Sequence, residues 1–481
     1  MRYHAPVPQA PTRALLVIAV VALTHAALFG IYQRPDRDAA WSDQVGDQRP
    51  WSDQVGYQRL GHVLATTGKF TPYPEVQPFV PERIRTPAYP IFVALIYRIA
   101  GESQAAIVAG QAVLFALMTL VVYALTKRLA TPYVALAAAW FTALFSPIPY
   151  YGALVLTEVL CTLFVTLGVW TAVCALQDRR RRDYILTGVF LGLATLTRPT
   201  FVLFPLALVG AMAIFALWRR STSILLPWGW MLGTFALVLS PWLAYNVVYV
   251  HALTLSPAGG IGRATWEASW QGTWPGRDQA DLTRLADAHV DDDDATLDGL
   301  VRALADARGL PAGPMLTYVH QWRDIRRIWT TPTDPRERGI KRIEADAVYW
   351  RTGLANIARD RFGHLVRRFT VGTFVLWAAE IPIRYTRINS TSPLVIRGIW
   401  LVQVLILVVA AVGLARLVHQ RGVLLAAPIA LLIASITAIH VPMLAEARYS
   451  LPAKPAILAL AAMGIAELLH RFLPQTGDYL P

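Results

Sequence analysis

Cysteine is almost missing from this chain: Cys161 and Cys174 are the two in 481 residues. That excludes a disulfide scaffold and a zinc site built on thiolates. The two fall in one apolar stretch. At about 1.5 Å rise per residue their Cα atoms lie roughly 20 Å apart on a helix, too far to bridge, so they read as small core residues. Charge is scarce as well, 16% of the chain against roughly 25% in soluble domains. With 55% hydrophobic residues, the chain cannot stay solvated without structure, which excludes disorder. Acidic residues are the scarcer sign, 31 against 44 Lys and Arg, a net charge of +13. Such an excess suits nucleic acid, an anionic membrane face or an anionic substrate, and its location must decide.

What the chain does have is long apolar runs. Stretches near 14–31, 104–125, 132–147, 154–176, 184–198, 199–218, 222–245, 395–416, 422–442 and 450–470 reach or approach the roughly 20 residues that a membrane-crossing helix needs. The 14–31 run is longer than a signal-peptide core, so it reads as an uncleaved first span. Arg198-Pro199 predicts a break between two of the spans, because proline disfavours helix in the residue before it. The basic clusters Arg2/Arg13, Lys127/Arg128, Arg179–Arg182, Arg219/Arg220, Arg416/Arg421 and Arg471 fall on alternate ends of the spans. One side therefore collects them, and that side is cytoplasmic. Most of the +13 orients the protein and is no nucleic-acid footprint. Both termini are then inside, and about ten spans satisfy the parity. Residues 369–385 would upset that count as a further span. They read instead as a helix in the outer interface, with Trp377 and Tyr385 at headgroup depth.

The sequence therefore predicts an all-α polytopic membrane protein of about ten transmembrane helices with extracytoplasmic surface helices. It divides into 1–245, a transmembrane module holding the outer loop 32–103; 246–394, an outer helical region; and 395–481, the last transmembrane helices. The stretch Tyr89–Ala100 predicts a helix on the membrane surface. Loop 246–368 shows no strand alternation and predicts a small helical cap. Asp291–Asp294 lacks the Gly and Glu positions of a calcium loop and reads as a solvated acidic turn. Trp41–Pro50 (WSDQVGDQRP) and Trp51–Leu60 (WSDQVGYQRL) are a local duplication, too brief for a solenoid.

Few ionisable residues lie deep in the spans; His25 reads as a satisfied interior histidine. Asp53 opens Asp-Gln-Val-Gly-Tyr57 shortly after the first span. A carboxylate at a membrane surface can act as a general base, and Asp43 in the first repeat copy is its rival. Arg85-Thr-Pro-Ala-Tyr89-Pro places an arginine at the start of the surface helix, where it can hold a phosphate bidentately or snorkel. Thr157-Glu158, Arg198-Pro199 and Glu446-Ala-Arg448-Tyr449-Ser-Leu-Pro452 all fall on the outer side. Arg85, Arg198 and Arg448 thus share one level and together can line an anion site.

In order and spacing these motifs resemble the polytopic GT-C glycosyltransferases. The branch concerned is glycosyltransferase family 39 with the RgtA/B/C/D-like enzymes, around protein O-mannosyltransferases and the aminoarabinose transferase of lipid A. Leu-Thr-Arg-Pro at 196–199 and Pro-Trp with Asn246 at 241–246 belong to the same pattern. The resemblance implies a sugar donor carried on a polyprenyl phosphate and an acceptor lipid, glycan or protein. It implies chemistry on the periplasmic face of a bacterial inner membrane. It makes Asp53 the catalytic aspartate and Arg85 and Arg198 holders of the carrier phosphate. Arg448 is then the basic residue at the start of the last span, and Glu158 a site-lining acid, with Tyr57, Tyr89 and Tyr449 beside them. A metal is not required by these motifs. Two other readings stay open. One is a lipid-linked-sugar flippase. The other is an O-antigen ligase or polymerase, for which His320 near Arg323 would carry the chemistry.

Overall fold

The computed structural model describes residues 12–34, 53–388 and 390–472. The first repeat copy, with Asp43, lies outside them. Every regular element among the described residues is helical. The chain starts with α1 (Thr12–Tyr32) and two helices of the first loop, α2 (Asp53–Thr67) and α3 (Ala88–Ala100). Then come α4 (Gln104–Leu129), α5 (Pro132–Leu144), the short α6 (Pro147–Gly152), α7 (Glu158–Asp178), α8 (Arg181–Thr197), α9 (Leu203–Trp218) and α10 (Leu226–Val250). The second loop is built from α11 (Ile261–Trp270), α12 (Gly276–Ala288), α13 (Asp294–Arg308), α14 (Ala312–Thr330) and α15 (Pro335–Arg359). Next, α16 (Arg361–Arg367) runs through a π-helical stretch, Arg368–Gly372, into α17 (Thr373–Ala378). The last helices are α18 (Pro393–Arg421), α19 (Val423–His440) and α20 (Lys454–Phe472).

A helix stands at each place where the apolar runs predict a span. Among the described residues, 8 helices are long and apolar enough to cross a membrane. α5 and α8 fall short. α5 has 13 residues, about 20 Å of helix against a hydrocarbon core of about 30 Å. The run at 132–147 breaks because Phe145 leaves the helix and Pro147 opens α6. α8 has 17 residues, the lower limit for a span. It ends where expected: Arg198 takes φ −143° and ψ 111°, the extended backbone imposed before proline. The 3-10 turn Pro199–Val202 then leads into α9.

The segment 369–385 ends its helix at Ala378, and its helical part is too short to cross. Trp377 departs from the expectation of headgroup depth. Its side chain is buried in the protein, where the indole N–H donates to Thr437 Oγ1 at 3.2 Å and the ring covers Lys454 Nζ at 5.8 Å. A buried tryptophan needs a partner for its N–H, and here another helix supplies it. His25 is satisfied as read, its Nδ1 2.8 Å from the Ala143 carbonyl. Cys161 and Cys174 are both free and buried.

Buried side chains from α4, α7–α10 and α17–α20 share one apolar core, so the first and last transmembrane segments pack as one body. The cap has a core of its own, built around Trp266, Tyr318, Trp322 and Tyr349. It rests on the first loop: Ser256 Oγ donates to the Ile84 carbonyl at 2.6 Å, and the Ala258 N–H to that of Arg83 at 2.9 Å. At the opposite end of the helices, Lys127, Arg416 and Arg421 line one cleft, and Arg128 pairs with Asp178 at 2.9 Å. The basic loops therefore gather at one end of the bundle and the cap at the other, as the positive-inside pattern requires.

Candidate functional site

The site forms where α2, α3, α7, α8 and the 441–449 segment meet the cap. Asp53 begins α2, and its carboxylate is 56% exposed. A negative charge in the first turn suits the positive end of the helix dipole. Arg85 Nη2 lies 3.6 Å from Asp53 Oδ1, with Arg85 itself only 6% exposed. The guanidinium passes over the Tyr57 ring at 5.3 Å. Gly56 makes this approach possible: a Cβ there would stand 2.2 Å from Arg85 Cζ. Glu82 holds the backbone before α3, accepting from the N–H groups of Ile84 and Arg85 at 2.7 and 3.0 Å.

Burial first, and then the Asp53 carboxylate, raise the Tyr57 phenol above its ordinary pKa, so it stays a neutral donor. Its ring meets Tyr89 edge-on at 4.9 Å. Tyr89 has no exposed surface, and its hydroxyl donates to Gln111 Oε1 at 3.1 Å. It props Tyr57 from behind, with no face open to a ligand.

Deeper in, Glu158 is the hub. It opens α7, and its Oε1 lies 3.6 Å from both Arg198 Nη1 and Arg448 Nη1. Glu158 Oε2 and Arg198 Nη1 are buried without a hydrogen-bond partner, so each retains bonding capacity. Tyr449 lies under both arginines, its ring 5.0 Å from the Arg198 guanidinium and 5.5 Å from that of Arg448. Thr86 Oγ1 donates to the Thr197 carbonyl at 3.2 Å and ties the Arg85 strand of backbone to the Arg198 turn. Asp53 and Arg85 act electrostatically on Tyr57 together with Glu158 and Arg198. The residues read from four distant motifs thus converge.

Others join them; Glu446 comes from the same motif as Arg448, and the rest carry no signal in the sequence. Glu446 binds Arg448 Nε at 2.5 Å. Burial raises the Glu446 carboxyl, but the Arg448 guanidinium overrides this and the net shift is downward. His440 stacks on Tyr449 at 4.6 Å. From the cap, Arg263 pairs with Glu267 at 2.8 Å and lies over Trp322 at 5.0 Å. Glu267 first, against the cost of burial, raises the Arg263 guanidinium, and Asp53 adds to the effect. α11 is held in place by Asp346, which accepts from the Gly262 and Arg263 N–H groups at 3.1 and 3.0 Å. A long loop with no repeat and no motif does not announce such a role. His320 and Arg323 sit elsewhere in the cap: His320 Nε2 is 2.7 Å from Asp298, and Nδ1 3.2 Å from Arg323.

Residues 84–245 match a family model described as dolichyl-phosphate-mannose-protein mannosyltransferase, and that segment holds Arg85, Tyr89, Glu158 and Arg198. Among solved structures, the oligosaccharyltransferase AglB from the archaeon Archaeoglobus fulgidus, in complex with an inhibitory peptide and a dolichol-phosphate, matches 95% of this chain with TM-score 0.50 and 13% identity. The chain has the GT-C fold. It spans 50% of the length of that protein. ArnT from Cupriavidus metallidurans, bound to undecaprenyl phosphate, matches with TM-score 0.36 and 15% identity over 98% of this chain and 82% of that one. No curated protein matches the chain in sequence. The GT-C resemblance read from the motifs and the matched family model agree.

Proposed function

We propose that this protein transfers a sugar from a polyprenyl-phosphate-linked donor to an acceptor hydroxyl on the extracytoplasmic face of a bacterial inner membrane, with inversion. The observation that carries this reading is a half-exposed carboxylate, Asp53, paired with Arg85 and acting electrostatically on Arg448 of the arginine cluster around Glu158. Arg198 and Arg448 suit a phosphate: two guanidinium groups offer forked donors, and Arg198 Nη1 is buried with no hydrogen-bond partner of its own. Apolar helices around them suit a prenyl tail.

In this reading Asp53 takes the proton of the acceptor hydroxyl. The oxygen attacks the anomeric carbon, and the bond to the phosphate oxygen breaks. The electron pair leaves on the phosphate, whose charge the arginines stabilise. Arg85 orients Asp53, and the Tyr57 ring supports the Arg85 guanidinium. The purified protein in detergent tests this with an undecaprenyl-phosphate sugar and acceptor. Asp53→Asn is expected to lower turnover by roughly 10²–10⁴-fold while donor binding persists. Full activity of Asp53→Asn removes the base assignment. Absence of any turnover in detergent, with transport of donor in vesicles, sinks the transferase and favours a flippase.

A further inference from the structure

At the end of the bundle away from the cap, the cleft lined by Lys127, Arg416 and Arg421 encloses about 490 Å³. That falls within the roughly 300–1,000 Å³ of small-molecule sites. The turn between α4 and α5, the last turns of α18 and Met463 of α20 bound it, and no carboxylate lines it. Lys127 and Arg421 are exposed, and their side chains form no ion pair or hydrogen bond among the described residues. Lys127 Nζ lies 5.8 Å from the centre of the Tyr123 ring. Arg416 is held by Glu467 at 3.2 Å and donates from Nε to Gln420 at 3.3 Å, while Glu467 is shared with Arg471 at 2.6 Å. Four cations thus stand here against one carboxylate, and two of them keep all their side-chain donors. Leu129, Pro132, Val134 and Met463 make the rest of the wall apolar.

The same three helices frame an apolar groove of about 750 Å³ further along the bundle. Val395, Val402 and Val409 line the groove and Arg416 lines the cleft, at intervals of seven residues, so both openings lie on one face of α18. On α5, Val134 in the cleft and Phe141 in the groove repeat that spacing. Half a hydrocarbon core is about 15 Å, or about ten residues of helix. A tail that starts beside Arg416 therefore ends near Ile406, inside the groove. We propose that the cleft and the near part of this groove bind one anionic phospholipid of the leaflet away from the cap. Its phosphate sits between Lys127, Arg416 and Arg421, and an acyl chain lies between α5 and α18. At headgroup depth a lipid phosphate is the anion at hand, and basic pockets between transmembrane helices recognise such headgroups. A zwitterionic headgroup carries its own cation and gains little from walls of that sign. The site is separate from the Glu158 cluster and does not depend on the transfer chemistry.

Thermal unfolding of the purified full-length chain in detergent, titrated with phosphatidylglycerol or with phosphatidylcholine of the same chains, tests the site. A saturable rise in unfolding temperature is expected with phosphatidylglycerol alone. Lys127→Gln with Arg421→Gln should raise the half-saturating concentration roughly 30-fold, about fivefold for each cation removed. Lys127→Arg with Arg421→Lys should keep it. Arg180→Gln with Arg219→Gln removes the same charge from other loops at that end and should leave it unchanged. Unfolding without lipid shows whether the glutamine pair folds; if it does not, Arg421→Gln alone is read, with about a fivefold rise expected. An equal response to phosphatidylcholine, or an equal loss in the Arg180 and Arg219 control, overturns the proposal. Glycerol 3-phosphate, a phosphate ester without a tail, should give no rise at the same concentrations. A rise matching that of the lipid would overturn the assignment to a phospholipid.

Discussion

At the scale of single residues, the site depends on side chains with few alternatives. Gly56 is the clearest case. Alanine there puts a Cβ into the Arg85 guanidinium, and Arg85 has little room to retreat at 6% exposure. Gly56→Ala is expected to keep the fold and lower turnover by the order of 10²-fold that a small misplacement of a positioning group costs. Circular dichroism and a donor-transfer assay measure the two effects side by side. Glu446 gives a pH prediction. Its folded pKa lies below the ordinary value because Arg448 outweighs burial. A depressed carboxyl contributes stability above its unfolded pKa of about 4.3 and loses it as pH falls through the folded value. Glu446→Gln should therefore narrow the difference in unfolding temperature between neutral and acidic buffer. An unchanged difference would show that the Arg448 pair does not contribute.

At the scale of elements, helices meet through glycine where their backbones touch. α18 and α20 cross with a Cβ on Gly413 1.9 Å from the Leu460 carbonyl oxygen and one on Gly464 2.0 Å from that of Val409. Small residues are what allow such contact between transmembrane helices. Gly413→Val must push two backbones apart. It is expected to cost about 1–3 kcal/mol, seen as a lower unfolding temperature in detergent, whereas Gly398→Val, with open space around it, should cost little. This level was partly legible. Arg198-Pro199 announced the break that turns Arg198 toward Glu158, and the surface helix 89–100 was readable from its apolar stretch. The loss of α5 as a full span was not, because the apolar run continues through the turn at Phe145 and only the tertiary path shows where the helix stops. Trp377 was misplaced for a related reason. An aromatic beside polar residues reads like a headgroup anchor until Thr437 and Lys454, far along the chain, are seen to enclose it.

At the scale of the whole molecule, the prediction concerns sidedness. The scarcity of cysteine makes it simple to check, because Cys161 and Cys174 are buried and give little background. Arg180→Cys should react with a membrane-impermeant maleimide only from the cytoplasmic side, and Asp306→Cys only from the outer side. Labelling of both from one side would overturn the orientation.

By itself the amino-acid sequence determined the solvent of this protein and predicted its direction. Apolar run length decides whether a helix is stable in a bilayer, and the distribution of Lys and Arg decides which end faces in. It also supplied Asp53, Arg85, Glu158, Arg198 and Arg448 as separate candidates, since polar residues at span ends stand out against apolar surroundings. Only the tertiary structure decided that Arg198 and Arg448 meet on the Glu158 carboxylate while Arg85 pairs with Asp53. It alone brought Arg263 and Glu267 down from the cap and turned Tyr89 inward. Those placements depend on contacts between residues far apart in the chain, and local pattern carries no information about which distant backbone will pack against which.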